Sequence, residues 1–295
     1  METNNTIIKR KKFSKEEMDI LTKDIDTKLE EFIKSGKYKE ILMTMSNLSH
    51  YSLNNQIYIL MQKPDAKTVY GIKKWNKLGR HVIKNEKSLR IFKPIVVKED
   101  DNTEEKYICK GFQAGYVFDI SQTIGKEFNI FKFDENKIVK HKNIILNSLK
   151  KTMLDNGYTI SYTTKDELGD SCYGLCNHRT KEIKILENLS DLQEVSTTVH
   201  ECGHALAHSI AREDFKGLTV EEKREIKKVE AESIACIVCT YLSLDTQNFN
   251  FSYITSWSNG DISKFRNNLN IISKYANILI QNIENELENI EQFFT

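Results

Sequence analysis

Apolar residues return at helical spacing near the start of the chain, where Met18, Leu21, Ile25, Leu29 and Phe32 follow a Ser14–Glu17 pair with the spacing of a capping box. Gly36 is placed to end that helix. A second helix is predicted from Tyr38 to Leu48 and a third from Ser52 to Gln62, stopped before Pro64. Pro64 and Pro94 are the only prolines, so obligatory breaks are few and long helices are expected. From Thr68 the texture changes. TVYGI, HVIK, SLRIFKPIVVK and KYICKGFQAGYVFDI are rich in β-branched and aromatic residues and are separated by Gly, Asn and Asp turns. A small antiparallel sheet following three helices is the predicted arrangement.

Residues 120–140 have no clear period and read as a connector. A second unit follows, with a helix over 140–156 and strands at YTISYTT and KEIKIL. Ser190 starts the next helix, with Gln193 closing a capping box, and further helices are predicted over 220–243 and 261–293. The chain is therefore expected to be α+β with two domains, 1–135 and 136–295. No internal repeat or low-complexity tract is present in the sequence.

Composition supports a globular chain, with 39% hydrophobic and 29% charged residues among 295. The longest uncharged stretch, Ile41 to Gln62, is full of Thr, Ser, Asn and Gln and is unsuited to a bilayer. METNNTIIKRKK lacks the apolar run of a secretory signal. Six cysteines make no dense disulfide framework, so a reducing cytoplasm is the expected location. The net charge of +1 conceals an asymmetry. Residues 1–98 hold 21 Lys and Arg against 11 Asp and Glu, or +10, and the rest carries −9. The densest basic stretch, Lys63–Lys98, interleaves its charge with Tyr70, Trp75 and Phe92, which points to a polyanionic partner.

The strongest chemical signal is His200-Glu201-Cys202-Gly203-His204, an H-E-x-x-H. On a helix the two histidines lie one turn apart on one face and can reach one ion, while the Glu can act on water as a general base. KEIKIL just upstream would supply an edge strand able to pair with an extended peptide. A third ligand is needed for zinc. His208 lies two turns from His200 and fits a surface position or a support for the ligands better than a ligand. Glu230 and Glu232 are better candidates and lie about 200° apart on the helical wheel, so at most one faces the metal. Ala235 and Cys239 mark a small-residue face that includes Glu232, which favours Glu232 over Glu230. Cys172, Cys176, Cys236 and Cys239 read as small apolar residues rather than a zinc site, because the second pair sits inside the apolar run IACIVCTYL.

The words Tyr51-Ser52-Leu53-Asn54-Asn55-Gln56, Gln62-Lys63-Pro64-Asp65-Ala66, Val69-Tyr70-Gly71, Trp75-Asn76-Lys77-Leu78-Gly79-Arg80 and Ile91-Phe92-Lys93-Pro94-Ile95 resemble the N-terminal domain of ArdC-type antirestriction proteins. The second half is similar to the zincin-like metallopeptidase domain that accompanies it, related to the ImmA/IrrE group. Its matches are His200–His204, His208, Ala231-Glu232 and Tyr253-Ile254-Thr255-Ser256-Trp257. The resemblance implies a mobile-element protein that binds single-stranded DNA and protects incoming DNA from restriction. It departs at Lys228, where relatives often carry an acidic residue. If that residue is their metal ligand, the third ligand here moves to Glu232 or Glu230, or metal binding is impaired.

Under this reading Lys73, Lys74, Lys77, Arg80, Lys84, Lys87 and Arg90 neutralise phosphates. Tyr70 and Trp75 offer stacking platforms, and Asn54, Asn55 and Gln56 offer hydrogen bonds. The competing roles are core packing for Trp75 and helix capping for Asn54 and Asn55. His200, His204 and a Glu would hold one Zn2+, with Glu201 as general base in amide hydrolysis of a protein or peptide substrate. Two alternatives stand beside this one: a DNA-masking protein with a structural or inactive metal site, and a regulatory metallopeptidase that cleaves a repressor or DNA-bound protein.

Overall fold

The computed structural model describes residues 11–98, 107–128, 135–169, 172–208, 215–244, 246 and 261–293. The chain divides into two compact units, Met1–Glu30 with Asn54–Phe128, and Glu31–Leu53 with Asn129–Thr295.

The first unit takes in most of α1 (Lys15–Lys34) and α3 (Leu53–Gln62). The predicted capping box is formed: Glu17 N donates to Ser14 Oγ at 3.1 Å, and Ser14 N donates to Glu17 Oε2 at 2.9 Å. Below the cap, α1 buries Ile25 and Leu29. The sheet runs β1 (Val69–Tyr70), β4 (Tyr107–Asp119), β3 (Leu89–Lys98) in spatial order, antiparallel throughout. Two elements depart from expectation. Ile72–Lys77 forms a short helix, α4, where the sequence predicts only strand and turn. Thr123–Gly125 forms β5, inside the predicted connector, and pairs with β2 (Arg80–Val82). Gly125 sits opposite Arg80 with φ 144°, and a Cβ there would lie 2.3 Å from Gly79 O, so the pairing requires glycine.

Strand β3 lies at the sheet edge, and α3 covers its open side. Asn55 and Gln62 stand two helical turns apart on one face, and each pairs through its amide with strand backbone. Asn55 meets Phe92 and Gln62 meets Arg90, at 2.7–3.0 Å for the four bonds. Phe92 then packs on Tyr58 at 4.9 Å and on Phe13 at 5.4 Å between ring centroids.

The second unit contains α2 (Tyr38–Asn47), α5 (Glu135–Asp155), a three-stranded sheet, and helices α7 (Asp191–Ala207), α8 (Val220–Tyr241) and α9 (Ile262–Phe293). Tyr38 of α2 meets Ser233 of α8 at 2.9 Å, both buried. Among the buried residues of α9, Phe265, Leu269, Ile272, Ala276, Leu279, Ile280, Ile283 and Leu287 form an apolar stripe, with Asn268 and Ser273 buried beside it. The sheet order is β6 (Thr159–Thr163), β8 (Glu182–Leu186), β7 (Gly174–Asn177), with β6 and β8 parallel and β7 and β8 antiparallel. A four-residue helix, α6 (Lys165–Leu168), follows β6. The KEIKIL strand, expected at an edge, is instead central, because β7 claims its second side, and the open edge beside α7 belongs to Gly174–Asn177.

Candidate metal centre and nucleic-acid face

Helix α7 begins with a formed capping box, in which Gln193 N donates to Ser190 Oγ and Ser190 N donates to Gln193 Oε1. That register places His200 and His204 side by side, with ring centroids 4.9 Å apart. Both line a cleft of about 840 Å3, together with Glu201 and with Glu232 of α8. Glu230 does not reach this cleft; it is fully buried and meets His208 Nε2 at 3.2 Å. Tyr253–Trp257, matched above to the second domain of relatives, lies outside the described residues.

Burial sets the protonation of the cleft. It holds His200 down to about 4. It holds His204 down to about 2, helped by the neighbouring imidazoles. Both are thus in the neutral form that ligates metal. Burial pushes Glu201 up to about 7, opposed by the Cys176 backbone N–H that donates to it. A carboxyl poised near neutral pH can accept and return a proton.

One wall of the cleft is not foreseen in the sequence. Cys172, Tyr173, Gly174, Leu175 and Cys176 line it, and a Cβ on Gly174 would stand 2.8 Å from Glu201 Cγ. The cysteine spacing is visible, but its meaning depends on β7 lying along α7. Cys172 Sγ donates to Gly174 O at 2.7 Å. Cys202, Cys236 and Cys239 are buried free thiols, as their apolar surroundings predict. Arg224 and Lys228 of α8 also line the cleft, which gives its mouth two cations. Among the described residues, no three His, Cys, Asp or Glu side chains stand together at ligating range.

The residues expected to meet DNA separate into two sets. Lys73, Lys74, Lys77, Lys84, Lys87, Arg90 and Asn54 are exposed. Tyr70 is half-buried, with Lys74 Nζ 5.9 Å from its ring centroid. The others are used inside the fold. Trp75 is fully buried, donates from Nε1 to Phe118 O at 2.9 Å, and packs edge-on against Tyr70 and Phe128. Asn55 covers the β3 edge, and Gln56 is buried. The Arg80 guanidinium bonds Thr123 and Lys126 O, tying β2 to β5. Core packing therefore describes Trp75, and its ring is withdrawn from any stacking surface.

Residues 11–120 match the model of one family, the N-terminal domain of anti-restriction factor ArdC. The resemblance drawn from the words of the first half is thereby shown. An uncharacterized protein of Bacillus anthracis, pXO2-81, is 25% identical over 301 residues, covering 86% of this chain and 49% of that protein. The chain thus spans about half the length of this curated relative. The metal-free crystal structure of the antirestriction ArdC protein from the R388 plasmid aligns with a TM-score of 0.47 and 16% identity, covering 91% of this chain and 97% of that one. Its Mn(II)-bound structure aligns at 0.46 and 14%, covering 90% and 97%. No helix among the described residues is long and apolar enough to cross a membrane.

Proposed function

We propose that this is a mobile-element antirestriction protein whose first 135 residues bind single-stranded DNA and whose remaining residues form a zincin-like, zinc-dependent peptidase domain. The observation that carries the second half is one cleft lined by His200, Glu201 and His204 from α7 and Glu232 from α8. The donor chemistry fits a divalent cation: two neutral imidazoles and a carboxylate, with His200, His204 and Glu232 as ligands. Among the described residues the three do not stand at ligating range of one point. When bound, such an ion supplies Lewis acidity to a scissile carbonyl and to water. Glu201 accepts the proton from the attacking water at its carboxylate and returns it to the leaving amine. The open edge of β7 gives an extended peptide backbone a partner beside Glu201. The first half draws affinity from the exposed lysines, which neutralise phosphates without reading bases.

One observation favours DNA masking with a structural or inactive metal site: Lys228 lines the cleft and places an ammonium there, which opposes a second cation. Zinc content, peptide hydrolysis and protection of transferred DNA, measured for the wild type, Glu201→Gln and His200→Ala, separate the readings. Zinc retained and hydrolysis lost in Glu201→Gln is the expected result. Protection that survives both substitutions assigns the activity to masking, and a zinc-free wild type removes the peptidase reading.

A further inference from the structure

Tyr116 lies on β4, the middle strand of the first unit's sheet, yet it is 44% exposed. Its neighbours Ala114, Gly115 and Val117 are buried. The register shows what shares its face. Arg90 of β3 is directly opposite Tyr116, and it too is exposed. Residues paired in this way carry their side chains on one face, with Cβ atoms about 4.5–5.5 Å apart. Phe118, two residues further along β4, is on the same face and lies opposite Tyr70 of β1. The face therefore crosses three strands from Tyr70 to Arg90, with Tyr116 between them. Lys74 Nζ stands 5.9 Å from the Tyr70 ring centroid, which adds a second cation to that face. The next pair along the same face, Phe92 and Ala114, is buried, and Phe92 stacks on Tyr58 of α3. Helix cover thus ends one pair short of Tyr116.

We propose that Tyr116 is a base-stacking platform for single-stranded DNA, and that Arg90 meets the phosphate of the stacked nucleotide. The proposal rests on the DNA-binding reading of the first domain given above. It supplies the ring that burial of Trp75 withdraws.

The chemistry of the pair carries the inference. An exposed tyrosine offers a flat π-face on which any base can stack, so the gain is tolerant of sequence. In a duplex the faces of the bases are taken up by their neighbours, so such a platform favours unpaired strands. A guanidinium beside the ring supplies the charge that a backbone phosphate needs, in a planar fork suited to its oxygens. Arg90 is within electrostatic reach of Glu17, but that carboxylate is paired with Lys11. The balance among the three remains positive.

The test uses the full chain, a thymidine oligomer and an abasic strand of the same length. Anisotropy gives the affinities of wild type, Tyr116→Ala, Tyr116→Phe and Arg90→Ala over a range of salt, with a thermal melt of each. Removing the ring should weaken thymidine binding about 5–140-fold and leave the salt slope unchanged, since no phosphate contact is lost. Tyr116→Phe should stay close to wild type, and both tyrosine variants should bind the abasic strand as wild type does. Arg90→Ala should weaken both strands and flatten the slope by about 0.7. Independently of any variant, ultraviolet cross-linking of wild type to a bromodeoxyuridine oligomer should attach at Tyr116, as located by peptide mass spectrometry. A folded Tyr116→Ala that binds thymidine as tightly as wild type, or cross-links confined to other residues, overturns the platform and leaves DNA binding standing. An equal loss on the abasic strand also overturns it, because the ring would then be supporting phosphate contacts. An unchanged slope in Arg90→Ala overturns the role of Arg90. A wild type that binds no thymidine oligomer overturns the DNA reading and the platform with it.

Discussion

Asn55 and Phe92 exchange two hydrogen bonds, Asn55 Nδ2 donating to Phe92 O at 3.0 Å and Phe92 N donating to Asn55 Oδ1 at 2.7 Å. A side-chain amide thereby takes the place of a neighbouring strand along the open edge of β3, as covered sheet edges require. Asn55→Ala leaves both strand groups without their partner, at a cost of about 1–3 kcal/mol. The expected result is a lower urea midpoint with unchanged oligonucleotide affinity for the folded fraction. A large loss of affinity at constant stability would return Asn55 to the DNA face.

Lys73, Lys74 and Lys77 sit on α4 with exposed side chains. Substituting all three with Ala should weaken binding of a thymidine oligomer and flatten its salt dependence. Each lost phosphate contact removes about 0.7 from the slope of log affinity against log salt on single strands, so the triple variant should lose about 2. Anisotropy titrations across a range of salt concentrations measure this directly. An unchanged slope would place the binding face elsewhere.

Gly125 predicts a stability effect with no role in binding. Its φ is positive, and a side chain there would bring its Cβ to 2.3 Å from Gly79 O, so there is no room for one. Gly125→Ala should destabilise the β2–β5 pair by at least about 1–3 kcal/mol, since backbone and strand must both shift. Hydrogen exchange at the Arg80–Val82 amides should rise with it. Unchanged protection there would show that the pair tolerates the displacement.

What could be read in the sequence was governed by range. Both expected capping boxes, Ser14–Glu17 and Ser190–Gln193, depend on residues three apart and are formed. Helix α9, expected over 261–293, runs from Ile262 to Phe293. Helix α4 is too short to show a period and buries only Trp75. Strand β5 exists through its pairing with Arg80–Val82, some forty residues away, and KEIKIL looked like an edge because strand order is not a local property. At the site, the wheel argument separated Glu232 from Glu230, and the structure puts the first in the cleft and the second beside His208. The contact between His208 and Glu230 lay beyond the sequence, since it needs α7 and α8 in register.

Gly174 is the position at which fold and proposed chemistry meet most closely. It begins β7, on the open edge beside α7, and a Cβ there would fall 2.8 Å from Glu201 Cγ, 2.9 Å from Thr197 Cγ2 and 3.1 Å from Glu201 Oε1. Glu201 packs against this strand from the cleft wall, so a Cβ at Gly174 must push its side chain aside. Gly174→Ala should therefore displace the carboxylate while leaving both histidines in place. A displacement near 1 Å at a reacting group costs about 100-fold in rate. The variant should retain zinc at wild-type affinity and lose peptide hydrolysis about 10–100-fold in kcat, mimicking Glu201→Gln without changing a titratable group. Loss of zinc would mean that the strand supports the histidines, and full activity would mean that Glu201 is not the proton acceptor.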